Sequence, residues 1–166
     1  MPPDRRLLRD IRSAYQGMDR AQLEQGEWVQ WFRFNPSATT SDPTYSTGPQ
    51  RAWYPSITVP VWLGEYQRAP KNFDDDGMYL VDQVHGVMSY FAFFSSTIID
   101  PDTTGQNHLN DRVGYDGRLF GVSSFFPRGR TASYFLTISF SMIEIMAEDL
   151  AEDAAIPMFQ PYVVGS

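Results

Sequence analysis

The hydrophobic positions near the N-terminus follow a helical period. Its apolar side chains recur at spacings of three and four residues: Leu7, Leu8, Ile11, Tyr15 and Met18. Asp4 stands at an N-cap position after two prolines, and Gly26 marks a stop. This pattern predicts a helix over residues 4–24, within an N-terminal extension of residues 1–26. Its apolar face packs either on its own domain or on a neighbouring subunit, and both remain open.

After Gly26 the pattern becomes that of β-strands. Strands are predicted over residues 27–35, 57–65, 78–83, 87–97, 118–126 and 134–145. In the last of these, small polar side chains alternate with large apolar ones from Leu136 to Met142. The pattern predicts a mainly β fold, namely a small antiparallel β-barrel or sandwich over residues 27–145. A helix precedes it, long loops interrupt it, and an acidic and apolar tail over residues 146–166 follows it.

Two predicted features suggest contacts with other subunits. Strand 87–97 is apolar on both faces, so it needs covering twice, and this makes Phe91 and Phe93 interface candidates. Residues 36–56 form a long loop rich in Pro, Ser and Thr, and loops of that length in compact domains are usually functional or disordered. We expect this loop to become ordered only in an assembly, with Trp53 and Tyr54 anchored on a neighbour. Residues 68–77 are predicted to be a polar turn, and residues 99–110 a second loop.

Composition limits the classes of function. The 166 residues suit one domain, and the absence of cysteine excludes disulfides and thiolate metal sites. The net charge is −7, which disfavours binding to nucleic acid through bulk electrostatics. The charged N-terminus does not resemble a signal peptide, and no apolar run is long enough to span a bilayer. We therefore expect a soluble protein with no membrane partner.

Residues that could carry chemistry are few. The two histidines, His85 and His108, are each interpreted as polar surface residues in turns. The run from Asp74 to Asp76 lacks the spacing of an EF-hand loop and is interpreted as a solvated acidic turn, as is Asp100-Pro101-Asp102. No catalytic, cofactor-binding or metal-binding residue is predicted, so we expect a protein that is not an enzyme and has no cofactor.

Aromatic and basic residues offer two further hypotheses. The four tryptophans belong either to the core and interfaces or to a small ligand-binding barrel that stacks them on sugars: Trp28, Trp31, Trp53 and Trp62. Arg128 and Arg130 flank Gly129 in a basic turn that contacts a DNA backbone or an acidic partner, or else keeps a hairpin soluble. Both arginines are interface candidates, and Arg112 and Arg118 lie close by in the sequence.

Residues 111–145 read DRVGYDGRLFGVSSFFPRGRTASYFLTISFSMIEI. This stretch resembles the C-terminal half of the head-to-tail stopper proteins of siphophages, especially those that infect actinobacteria. The shared features are a DR-x-x-YDG-R-x-F-x-V segment, a P-x-GR turn and a long final strand. Residues 42–61, DPTYSTGPQRAWYPSITVPV, are similar to the loop by which that family enters its next strand. Within the stretch, Gly117 is expected to give the Tyr115–Gly117 turn its positive φ.

The resemblance implies a structural protein of the virion neck. It implies a small β-barrel that forms a homo-oligomeric, hexameric ring between the portal and adaptor above and the tail terminator and tail tube below. Such a ring closes the DNA channel after packaging and then receives the tail, and genomic DNA passes through it without sequence-specific binding. Assembly would take place in the host cytoplasm. The alternatives are another neck or tail component, such as a tail terminator or adaptor, and the ligand-binding barrel.

Overall fold

The computed structural model describes residues 5–38, 51–73, 77–90, 93, 108–129 and 135–145. In these residues one helix precedes seven strands: α1 (Arg5–Gln25), β1 (Glu27–Phe32), β2 (Ile57–Leu63), β3 (Gln67–Phe73), β4 (Gly77–Ser89), β5 (Arg112–Tyr115), β6 (Arg118–Arg128) and β7 (Thr137–Glu144). The helix matches the predicted one to within a residue at each end. The predicted tail, residues 146–166, lies outside the described residues.

The strands close into a barrel. Their order is β2-β1-β5-β6-β7-β4-β3, and every pairing is antiparallel. A further pairing of β2 with β4 joins the two ends of a six-stranded set and leaves β3 outside it. The predicted fold class, mainly β with an N-terminal helix, is confirmed.

Alternation in β7 builds one wall of the core. Ile138, Phe140 and Met142 are buried, whereas the residues between them are only partly covered. Phe140 packs edge-on against Trp31, with ring centroids 5.4 Å apart. The apolar side chains of this alternating pattern therefore point into the barrel, and the polar side chains between them point outward.

A two-residue turn joins β5 to β6. Tyr115 is the partner of Arg118, and the two residues between them both have positive φ, 50° at Asp116 and 69° at Gly117. Turns of this kind match the twist of a β-hairpin, and Asp-Gly is a favoured pair in them. The predicted tight turn is confirmed. From it β6 continues alongside β7, with a β-bulge between Val122 and Ser124.

Two predicted elements are wrong. Residues 67–73 form β3 instead of a polar turn, because their backbone pairs with β4 along its whole length. The apolar strand expected over 87–97 ends at Ser89, and Tyr90 and Phe93 have helical backbone. Phe93 is fully buried against Trp31, so its ring fills the end of the barrel instead of one face of a strand.

The helix completes the seam between β2 and β4. On the β4 edge that faces β2, Gly64 N donates to the carbonyl of His85 at 2.8 Å. Further along β4, the buried side chain of Gln22 makes hydrogen bonds of the kind that a neighbouring strand would make. Its Nε2 donates to Val87 O (3.1 Å) and its Oε1 accepts from Ser89 N (2.8 Å). Of the two positions left open for the apolar face of the helix, this part of α1 therefore packs on its own barrel.

Replacing Gln22 by Ala should destabilise the fold. The change removes the amide that bonds to Val87 O and Ser89 N, and the loss of these two hydrogen bonds costs about 1–3 kcal/mol together. Urea unfolding followed by tryptophan fluorescence measures the loss. Gln25→Ala, at the exposed end of the same helix, is the control and should change stability by less than about 0.5 kcal/mol. Equal effects of the two changes would contradict the role given to Gln22.

Candidate interaction surfaces

A buried polar network fixes one end of the barrel. Asp111, which is fully buried, accepts hydrogen bonds from Trp31 Nε1 (2.9 Å) and from Phe34 N (2.8 Å). Its Oδ2 also lies 2.9 Å from His108 Nδ1. His108 stacks on Phe125, with centroids 4.3 Å apart. The carboxylate thus ties together the end of β1, the segment before β5 and the aromatic core.

His108 was expected on the surface, and that prediction is wrong. Its side chain is buried, because the imidazole stacks on one phenylalanine and meets the edge of another, Phe93. Its Nε2 atom has no hydrogen-bond partner among the described residues. His85 is exposed as expected, but it lies within β4 and not in a turn, with Nδ1 2.7 Å from Ser141 Oγ. These contacts give His108 a structural place in the core.

Arginines and aromatic rings surround this end of the barrel, which we call the basic end. It carries four arginines close to the strand termini: Arg33, Arg51, Arg112 and Arg128. The guanidinium of Arg33 lies over the ring of Tyr54 at 5.8 Å, and that of Arg128 lies over Phe126 at 5.9 Å. Tyr54 and Phe126 are largely exposed. Exposed aromatic and arginine side chains are enriched in protein interfaces.

Carboxylates dominate the opposite end, which we call the acidic end. It carries five of them: Glu27, Glu65, Asp82, Asp116 and Glu144. Arg118 is bound within this group, because its Nη1 donates to Asp82 Oδ2 (2.8 Å) and to Glu144 Oε2 (3.3 Å). Its guanidinium also lies 4.6 Å from the centroid of the exposed ring of Tyr66. The acidic end therefore has carboxylates around Arg118, and two of them already pair with that arginine.

The electrostatics of Arg118 follow from these contacts. Partial burial alone would lower the pKa of Arg118, but hydrogen bonds to Asp82 and Tyr66 and the charge of Glu144 outweigh it and raise the pKa above its ordinary value. The guanidinium stays charged at every physiological pH. It serves as a fixed counter-charge that holds β4, β6 and β7 together at this rim.

The predicted interface residues fall into three groups. Tyr54 and Arg128 are exposed at the basic end, where they can meet a partner. Phe91 and Arg130 lie outside the described residues. Trp53 and Phe93 require correction, because both are buried in their own chain, with 7% and 0% of their surface exposed.

Trp53 is held by contacts that the sequence pattern did not reveal. Its Nε1 donates to Asn110 O at 3.2 Å, and its ring meets Phe34 at 6.3 Å. Backbone bonds also join Tyr54 N to Arg33 O and Asn35 N to Ala52 O, each at 2.9 Å. The loop end around residues 51–56 is thus ordered on its own barrel, so Trp53 is not an anchor for a neighbour.

The hypothesis of tryptophans stacked on sugar receives little support. Trp31 and Trp53 are buried, so neither can present a face to an external ring. Trp62 is half-buried on β2. Trp28 is the tryptophan with a large exposed fraction, 54%. A stacking platform needs more than one such face in reach of the same ligand.

Neither a metal-binding cluster nor a membrane-spanning helix is found in the part of the chain that the structure describes. No group of three or more His, Asp or Glu side chains in these residues could hold a metal ion. The run from Asp74 to Asp76 lies outside them, as do Asp100 and Asp102. The helix in the described part of the chain is not of the length and apolarity that crossing a membrane requires.

The described residues define a small closed antiparallel barrel with one attached helix and two rims of opposite charge. Neither a protein-family model nor a curated protein sequence matches the chain. One solved structure of similar fold bears the description "virion of native gene transfer agent (GTA) particle"; it is 11% identical, and the match covers 73% of this chain and 96% of that chain with a TM-score of 0.47. A likeness this remote carries no argument about function.

Proposed function

We propose that the chain is a structural protein of a tailed-phage virion that acts in the neck as a head-to-tail stopper. In this role it forms a ring between the portal and adaptor on one side and the tail on the other. The ring closes the DNA channel after packaging and provides the surface to which the tail attaches. The protein acts through binding and assembly, without catalysis and without a cofactor.

The observation that carries this proposal is the fold of residues 111–129 and 135–145. The stretch that resembles the stopper family forms β5, β6 and β7, three neighbouring strands of the closed barrel. Its Tyr115-Asp116-Gly117 segment makes the turn between the first two strands. The described residues of this stretch thus lie on three neighbouring strands, so the likeness falls on a structural unit instead of scattered positions.

Two rims that expose aromatic and charged side chains suit a protein that is built into an assembly. The basic end presents Tyr54, Phe126 and Arg128, and the acidic end presents Tyr66 among carboxylates. Side chains of these types supply much of the binding free energy at protein interfaces. A virion joint needs such surfaces, whereas an isolated barrel gains nothing from exposing them.

Another neck or tail component is the closest alternative. A tail terminator would also be built into a ring, so the barrel by itself does not distinguish it from a stopper. An adaptor is mostly helical, and the strands of this chain disfavour that assignment. A sugar-binding barrel is disfavoured by the burial of Trp31 and Trp53.

The test is removal of the gene from a phage that encodes it. Without the chain, DNA-filled heads and finished tails should accumulate separately, because the joint between them is missing. Supplying the wild-type protein from a plasmid should restore joined particles, and electron microscopy of those particles should place it at the neck. Normal yields of joined particles without the chain would refute the proposal. Joined heads with tails of abnormal length would identify a tail terminator instead.

A variant pair refines that test. Phe126→Ala removes an exposed ring from the basic end, whereas Leu23→Ala removes an equally exposed side chain from α1. Neither change should alter folding, since both side chains lie largely in water. In the complementation assay we expect Phe126→Ala to reduce the yield of joined particles by about tenfold, which is the loss produced by an interface residue worth ~1.4 kcal/mol. We expect Leu23→Ala to leave the yield unchanged.

A further inference from the structure

We infer that copies of this chain join by contact between the basic end of one barrel and the acidic end of the next. The inference rests on the proposed function, because it names the surfaces through which the subunits of the neck ring would meet. The partner that binds each end of the barrel is a second copy of the same chain.

The charge distribution of the described residues is the first argument. The acidic end holds five carboxylates with three bases, Arg68, Lys71 and Arg118, and both of these arginines pair with Asp82. The basic end holds three arginines that reach water, Arg33, Arg51 and Arg128, and the buried Arg112. Its acids are Asp111, which is buried in its own network, and Asp19, which bonds to Ser89. Opposite rims of a single chain therefore present opposite charges to water. Complementary potentials of this kind steer two proteins together and set their orientation.

The helix strengthens the basic end. Tyr15 donates from its hydroxyl to the carbonyl of Phe135, directly before β7 begins at the basic end. The N-terminal turns of α1 beyond that contact carry exposed arginines at positions 6, 9 and 12 and one acid, Asp10. The positive surface thus extends from the strand termini onto the helix.

Apolar rings at both ends supply the second argument. Tyr54 and Phe126 are exposed beside arginines at the basic end, and Tyr66 is exposed at the acidic end. A patch of charges alone gives fast but weak association, whereas aromatic anchors among charges give a specific contact. Each end therefore has both the charged and the aromatic side chains that a specific interface needs.

The geometry of such a contact sets its symmetry. Different surfaces of the two copies meet, so the contact is heterologous, and each copy still has one end available after the first contact forms. Repetition of the contact with a rotation closes a ring, and repetition without closure gives a filament. A dimer with the same patch on both partners is not compatible with this arrangement, because like charges would face each other.

A duplex DNA phosphate backbone is the competing occupant of the basic end. The acidic end on the same small barrel and the net charge of −7 oppose accumulation of the protein on DNA. Three of the four arginines are also engaged over aromatic rings. We therefore assign the basic end to protein, and the experiment below includes DNA as an outcome.

The experiment is a charge swap on the full-length protein. Arg128→Glu reverses an exposed charge at the basic end, and Glu65→Arg reverses one at the acidic end. Sedimentation velocity at low ionic strength measures association. Each variant alone should associate at least about tenfold more weakly than wild type, and an equimolar mixture of the two should recover most of the loss, because the two reversed ends attract. Salt should weaken wild-type association, since the charges are exposed.

Arg20→Glu is the matched control. It makes the same charge change on the exposed face of α1, where Arg20 pairs with Glu24 at 2.9 Å, and it should leave association unchanged. Circular dichroism spectra that match wild type establish that the variants are folded. The inference is overturned if the wild type remains monomeric at every accessible concentration, if both reversed variants associate like wild type, or if the mixture recovers nothing. It is equally overturned if Arg128→Glu abolishes binding to duplex DNA while leaving association intact.

The inference and the proposed function fail in different ways. If the chain is found at the neck but the reversed variants join heads to tails normally, the contact is wrong and the function stands. If particles join normally without the chain while the charge swap behaves as described, the contact stands and the neck function is wrong.

Discussion

Replacing Asp111 by Ala should cost about 3–5 kcal/mol of folding free energy, because three nitrogen atoms lose their acceptor and each unsatisfied buried group costs about 1–3 kcal/mol. The carboxylate accepts from Trp31 Nε1 and Phe34 N and contacts His108 Nδ1. Its removal leaves these nitrogens in a part of the barrel that water does not reach. Since small domains are stable by only about 5–15 kcal/mol, much of the stability would be lost.

Equilibrium urea unfolding, followed by the fluorescence of Trp31 and the other tryptophans, measures this loss. Asp10→Ala, an exposed acid on α1, is the matched control and should change stability by less than about 0.5 kcal/mol. Asp111→Asn should also destabilise, because an amide has one acceptor oxygen and brings an NH2 group among donors. If Asp111→Ala cost less than about 1 kcal/mol, the network would not be what holds this end of the barrel.

Replacing Ile138 by Asp should unfold the domain. Ile138 is fully buried in the wall formed by β7, and a carboxylate there would have no partner to offset its desolvation. The expected cost exceeds about 4 kcal/mol, which places the change among the most severe single substitutions. Circular dichroism and the recovery of protein in the soluble fraction measure the outcome.

Ser139→Asp tests the same strand on its other face. Ser139 lies between Val87 and Phe126 on the outer surface, and Phe126 is itself largely exposed. A carboxylate at that position can remain hydrated, so the variant should fold. A folded Ile138→Asp protein, or an unfolded Ser139→Asp protein, would mean that the inward and outward faces of β7 have been exchanged.

The elements that could be predicted are those with local causes. In β7 the apolar period is visible without knowledge of any neighbour, because the residues from Ile138 to Met142 face one core. The β5–β6 turn is likewise local, since Asp116 and Gly117 are residue types that accept positive φ. The helix over Arg5–Gln25 follows from its apolar spacing and from Gly26.

The elements that could not be predicted depend on distant partners. Strand β3 has the polar sequence QRAPKNF, and only its pairing with β4 makes it a strand. Asp111 and Trp31 are 80 residues apart in the chain, so nothing in their local sequence indicates that they bond. Trp53 is a similar case. Its sequence context predicts an anchor on a neighbouring subunit, whereas its Nε1 donates to Asn110 O of its own chain. Tyr54 and Arg128 are exposed, and their place at an interface stays a prediction.

The amide of Gln22 gives the first 25 residues an influence over how the protein meets other chains. While α1 is in place, Val87 O and Ser89 N of β4 are occupied. A protease that cut the chain at Gly26 and released the helix would uncover the edge of β4 beyond its pairing with β2. Such edges recruit strands from other molecules and lead to aggregation. The helix thus covers a strand edge of its own chain. We expect its removal to cause aggregation before the barrel unfolds.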